Sequence, residues 1–139
     1  MNSRLSVAIR ERYGFCYTIE SQFVPFADAG LFYIYAGVDA DAVDKVSQLV
    51  SAELDKMRSV PLSPLQLRAA QRQMVGQMAI VNDNGLNEMQ SIGKACLNYS
   101  HVDTLQEMSD EIFGVSADDV LRVSQRYFDP ASASTLCYL

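Results

Sequence analysis

The chain has 139 residues, 49% of them hydrophobic and 20% charged, with seven glycines, four prolines and no tryptophan. That is an ordinary globular composition, long enough for a single domain over 1–139 with its own core. Eleven Lys and Arg stand against 17 Asp and Glu, a formal net charge of -6, which argues against nucleic acid as a partner because a phosphate backbone asks for positive surface. Apolar runs fall far short of the roughly 20 residues that span a bilayer, and Arg4, Arg10, Glu11 and Arg12 sit where a signal peptide would be apolar. Neither a membrane span nor a signal peptide is expected within the chain, and its compartment is left open.

Residues 2–12 put Leu5, Ala8 and Ile9 at helical spacing among charges, so the chain opens on a helix. From Phe15 the period becomes two, with Phe15, Tyr17, Ile19, Ser21 and Phe23 alternating against Cys16, Thr18, Glu20 and Gln22, the pattern of a half-buried strand. Asp28, Ala29 and Gly30 form a turn, and residues 31–38 are so apolar that they read as a central strand covered on both faces. The two strands make an antiparallel hairpin. Asp39 then opens a helix with Val43, Val46, Val50, Leu54 and Met57 on one stripe and Asp44, Lys45, Glu53 and Asp55 away from it.

Pro61 ends that helix, and Ser63-Pro64-Leu65-Gln66 is a capping box with proline at the first helical position, heading a helix that runs to Ile80 and Val81. Asn82-Asp83-Asn84-Gly85 breaks it, and Leu86, Met89, Ile92, Gly93 and Cys96 restart it. Helices follow at 104–113 and 117–128, the second opened by Ser116 and Asp119 with Val115 and Val120 as a hydrophobic staple. Asp129-Pro130 stops it, and 134–139 closes the chain as a strand. The expected fold is α+β, a small antiparallel or mixed sheet with helices packed on one face. A central strand so apolar asks for more neighbours than these, so a further strand and a partner domain are expected outside the chain.

Few residues invite chemistry. The glycines never cluster into a phosphate loop. Cys16, Cys96 and Cys137 are odd in number and widely spaced, which supports neither a disulfide framework nor a metal knuckle, and each reads as a small core hydrophobe. His101 is the one histidine and reads as a surface loop residue. Asp39, Asp41, Asp44, Glu53 and Asp55 lack the spacing of a calcium loop and read as a solvated helix face. Phe32, Tyr33 and Tyr35 lack the basic interleaving of a base-stacking surface and read as sheet core.

One corner stands apart. Arg10-Glu11-Arg12-Tyr13-Gly14-Phe15-Cys16-Tyr17 carries a basic helix end through a glycine into a strand with a tyrosine. An arginine fork suits peptide carbonyls or carboxylates and a tyrosyl hydroxyl can donate to an oxyanion, so the pair fits substrate positioning in acyl transfer. On residue type alone an ion-paired Arg10 and a sheet tyrosine with a wet hydroxyl remain the more ordinary reading.

Met1-Asn2-Ser3-Arg4-Leu5 followed by Ile9-Arg10-Glu11-Arg12-Tyr13-Gly14-Phe15-Cys16-Tyr17 resembles the "MNSRL…(I/L)RE+xGLAY" segment in the second, non-zinc half of the pitrilysin, insulinase and mitochondrial processing peptidase family. The order of elements through Phe128-Asp129-Pro130 resembles it over essentially the whole chain. The resemblance implies a fold like one half of a clamshell metallopeptidase that closes around an extended peptide. It also implies an inverted H-x-x-E-H zinc site in the other half, on the same chain or on a partner subunit. Nothing in these residues matches that motif, so zinc is expected in the full-length protein or its partner and the isolated chain is expected to be inactive. Arg10 matches the family's substrate-binding arginine and Tyr17 the tyrosine that stabilises the tetrahedral oxyanion; the resemblance thus implies Tyr17 as the catalytic donor and Arg10 with Tyr17 as the substrate-binding pair. Phe15 and Cys16 depart from the family's Leu-Ala, and Cys16 brings a thiol open to oxidation beside the site. The function implied is that of a substrate-clamping C-terminal domain completing the active site of a zinc endopeptidase, with a non-catalytic partner subunit of the same family as the alternative.

Overall fold

The computed structural model describes residues 3–26 and 28–138. Met1, Asn2, Ala27 and Leu139 lie outside the described residues, and with them the expected helix start at Asn2 and strand end at Leu139. The chain forms two compact units, one of Met1–Val60 with Val123–Leu139 and one of Pro61–Arg122.

In the first unit a π-helix, Ser6–Glu11, leads into β1 (Cys16–Pro25) and β2 (Gly30–Val38), an antiparallel pair and the one sheet among the described residues. A short 3-10 turn, Ala40–Ala42, runs into α1 (Val43–Ser59). Ile9, Cys16, Ile19 and Val46 form the buried cluster, with Leu5, Ala8, Ile34, Ala36, Val38, Leu49 and Val50 packed against it. The expected α1 stripe is the face turned inward: Val46 is buried and Val43, Val50, Leu54 and Met57 are half-buried. Helices thus cover one face of a small antiparallel sheet, the α+β arrangement that the periodicities predict.

The second unit holds α2 (Pro64–Asn82), α3 (Gly85–Tyr99) and α4 (Leu105–Gly114). Ser63 and Thr104 both cap reciprocally, each hydroxyl accepting from the backbone of Gln66 or Glu107, whose side chains return the bond. Asn84 caps α3 through the backbone N–H groups of Leu86 and Asn87. Along α2, Leu67, Gln71, Val75 and Met78 form the half-buried seam. From it Gln71 donates to the carbonyls of Ile112, Phe113 and Val115 at 3.1, 3.3 and 3.0 Å, joining at Ile112 the bond that the Val115 N–H already makes at the end of α4. The last helix, α5 (Ala117–Tyr127), opens where Ser116 and Asp119 exchange bonds.

Four expectations are corrected. Residues 134–138 form no strand, because an extended run becomes one only beside a partner and none pairs with it among the described residues. β2 is not covered on both faces: Leu31, Phe32 and Tyr35 are exposed. Cys96 and Cys137 are exposed rather than in the core, because α3 has no buried residue and Cys137 follows the last turn without a sheet around it. Glu53 is not on a solvated face, since Lys56 and Arg4 close over it at 2.5 and 3.9 Å and leave its side chain 13% exposed.

Candidate functional site

The corner between the opening helix and β1 is built from two single-residue irregularities around a glycine. Ahead of it the helix is wound as a π-helix, the Arg12 N–H reaching back to the carbonyls of Val7 and Ile9, a widened turn found often at functional sites. Gly14 closes the helix, its N–H bonding the Arg10 carbonyl at 3.0 Å with φ at +68°, the left-handed conformation that glycine adopts without cost. Behind it the ladder pairs Cys16 with Val38 and Thr18 with Gly37, so Tyr17 is the extra residue of a β-bulge. The sequence alternation places Tyr17 on the face of Ile19. The bulge breaks that alternation: Cys16 and Ile19 both turn into the core, while Tyr17 points outward, 75% exposed.

A four-layer stack holds the corner. Arg12 lies over the Tyr13 ring at 5.6 Å, Tyr13 stacks on Phe15 with centroids 5.5 Å apart and planes 3° from parallel, and Lys45 of α1 lies over Phe15 at 5.4 Å. Cation–π contacts at such exposed sites contribute about 0.5–1 kcal/mol each. Here they tie the helix end, the start of β1 and the first turn of α1 together.

Arg10 sits half-buried in the last turn of the π-helix. Its charge acts on the neighbouring Cys16 thiol, but burial is the larger influence and pushes that thiol's pKa up. A buried, protonated thiol is neither a nucleophile nor the easy oxidation target that its place beside the site implies. Tyr17 Oη lies 3.2 and 3.3 Å from the two carboxylate oxygens of Asp39, at the far end of β2. That hydrogen bond, then the charge of Asp39, raises the phenol's pKa, with Asp41 adding to it. Asp39 is the member of this site that sequence reasoning missed; the aspartate after the strand was legible only as a helix cap.

The donor set does not fit a catalytic zinc. The chain has one histidine, and the cluster in which its ligand atom comes within 4.8 Å of two carboxylates, His101, Asp103 and Glu107, is exposed and lies in the second unit. There His101 already faces Asp103 at 3.1 Å and Glu107 caps Thr104. No described helix is long and apolar enough to cross a membrane.

Comparison with known proteins places this chain in a family. An uncharacterized zinc protease of Streptomyces coelicolor is 31% identical over 125 residues, covering 90% of this chain and 27% of that protein. One of Bacillus subtilis is 25% identical over 128 residues, 92% of this chain and 31% of the relative, and one of Rickettsia bellii 24% over 136 residues, 98% and 33%. The chain thus spans about a third of the length of these relatives. Among solved structures, a chain of complex III2 from Candida albicans with Inz-5 bound superposes with a TM-score of 0.80 at 19% identity, covering 91% of this chain and 30% of that one, which shows a shared fold. Residues 1–74 match the model of the peptidase M16 inactive domain, and they include the whole corner from Arg10 to Tyr17. The chain belongs to the M16 peptidase family, as a C-terminal domain of it.

Proposed function

We propose that this chain is the substrate-clamping C-terminal domain that completes the active site of a zinc-dependent endopeptidase, one domain of a longer two-half protein. The catalytic zinc would belong to the other half, on the same chain or a partner subunit. The observation that carries the reading is the bulge at Tyr17, which turns a phenol out of the sheet at the end of a corner that also bears Arg10. Bulges of this kind re-aim side chains next to active sites. The zinc-protease names of the relatives support the reaction class.

Within that reading the roles follow from the side chains. The Arg10 guanidinium offers parallel N–H groups to the backbone carbonyls or a carboxylate of an extended peptide and fixes its register. Tyr17 donates its hydroxyl proton to the scissile carbonyl oxygen as that oxygen gains charge, an interaction stronger in the transition state than in the bound peptide. The test is cleavage of peptide substrates by the full-length protein. Tyr17→Phe is expected to lower turnover about 10- to 1000-fold with folding unchanged. Unchanged turnover would remove Tyr17 from the mechanism. A full-length protein that binds peptide but cleaves none would favour the second reading, a non-catalytic partner subunit, to which the inactive-domain match also lends support.

A further inference from the structure

Asp39 stands at the N-cap of the Ala40–Ala42 turn, where an aspartate ordinarily accepts a hydrogen bond from its own helix, yet it makes no such bond. Its carboxylate reaches instead to the hydroxyl of Tyr17, 22 residues earlier, with both oxygens within 3.3 Å of Oη. Two departures from regular structure thus meet at one contact, a strand residue turned out by a bulge and a capping residue turned away from its helix. A phenol carries a single proton. While that proton is donated to Asp39, none is left for a substrate oxygen.

Resting on the role given to Tyr17 above, we infer that Asp39 is a positioning residue that acts through Tyr17: in the free protein its carboxylate holds the phenolic proton, and a peptide carbonyl must displace it to receive that proton. The exchange is feasible because both side chains are exposed, so water can take over the carboxylate's lost bond as the hydroxyl turns.

The experiment uses the full-length protein and three variants, Asp39→Ala, Asp39→Asn and Tyr17→Phe. Asp39→Ala is expected to raise kcat/KM about 2- to 10-fold, the worth of one exposed hydrogen bond to a charged group. The gain should appear in kcat with KM nearly constant, because the displaced bond is regained only as the oxyanion forms. Asp39→Asn keeps an acceptor of the same shape without the charge and should fall between. A second readout needs no catalysis. With tyrosines labelled at Cζ, the Tyr17 resonance is identified by its loss in Tyr17→Phe, and its titration midpoint should move down in Asp39→Ala. An unmoved midpoint overturns the contact itself, and a moved midpoint with kcat/KM at or below the parent value overturns the positioning role. A Tyr17→Phe variant that cleaves at the parent rate instead refutes the role of Tyr17 on which the inference stands.

Discussion

Gly14 offers a substitution whose cost can be worked without any contact term. Its φ of +68° is in the left-handed region, and a Cβ built there meets nothing within 4 Å, so Gly14→Ala introduces no clash and the whole effect is backbone strain. For a non-glycine residue that strain is roughly 1–2 kcal/mol. In a chain of 139 residues this lowers Tm by about 3–8 °C. Gly76, inside α2, supplies the matched control, because a Cβ there also meets nothing within 4 Å but the backbone is helical. Gly76→Ala is expected to raise stability by about 0.5–1 kcal/mol through the entropy that glycine loses on folding. Gly14→Asn should cost less than Gly14→Ala, since asparagine tolerates the left-handed region. Thermal and urea unfolding followed by circular dichroism read all three. If Gly14→Ala and Gly76→Ala shift stability in the same direction, the left-handed corner is not what holds the helix end.

Two further expectations follow from burial and charge. Cys16 should be the last of the three thiols to react with iodoacetamide in the folded chain, because it is buried with a raised pKa while Cys96 and Cys137 are exposed; mass mapping that finds Cys16 labelled first would refute the buried assignment. Glu107 and Asp119 have pKa values lowered by their bonds to the backbone and hydroxyl of Thr104 and of Ser116. A depressed carboxylate pKa means that the stabilisation is present above the unfolded value, near pH 4, and is lost as pH falls through the lower folded value. Helicity at the starts of α4 and α5 should therefore hold at neutral pH and fray in acid below about pH 4, with Glu107→Gln and Asp119→Asn flattening that acid limb.

How much of this was legible varies with how local the cause is. The starts of α2 and α5 were readable because a cap and its reciprocal partner lie three residues apart, within one turn. The hairpin was readable for the same reason. The bulge was not: Phe15, Tyr17 and Ile19 alternate without a break, and only the pairing with Val38 and Gly37 reveals that one residue is surplus. The Asp39 contact inherits that difficulty, since its partner is chosen by the register of a strand that the aspartate itself follows. Cys96 was misread because an apolar stripe says that a face would prefer cover, not that cover exists. The corner was recognised by its residue types and their order, which a resemblance reads directly, whereas the outward direction of Tyr17 came only from the ladder.

The π-helix and the bulge have a joint consequence for how this segment can change. Each absorbs one residue more than regular structure would hold, one on either side of Gly14. Deleting a residue from 6–11 would relax the turn to an ordinary helix and swing everything before the glycine by about 100° around the axis. Deleting Cys16 would restore strict alternation and fold Tyr17 back onto the face of Ile19. Exchanging one side chain here for another, as at Phe15 or Cys16, leaves the residue count and so the register of the corner unchanged. A change in the number of residues between Arg10 and Tyr17 does alter that register, so in this corner length governs geometry more than identity does.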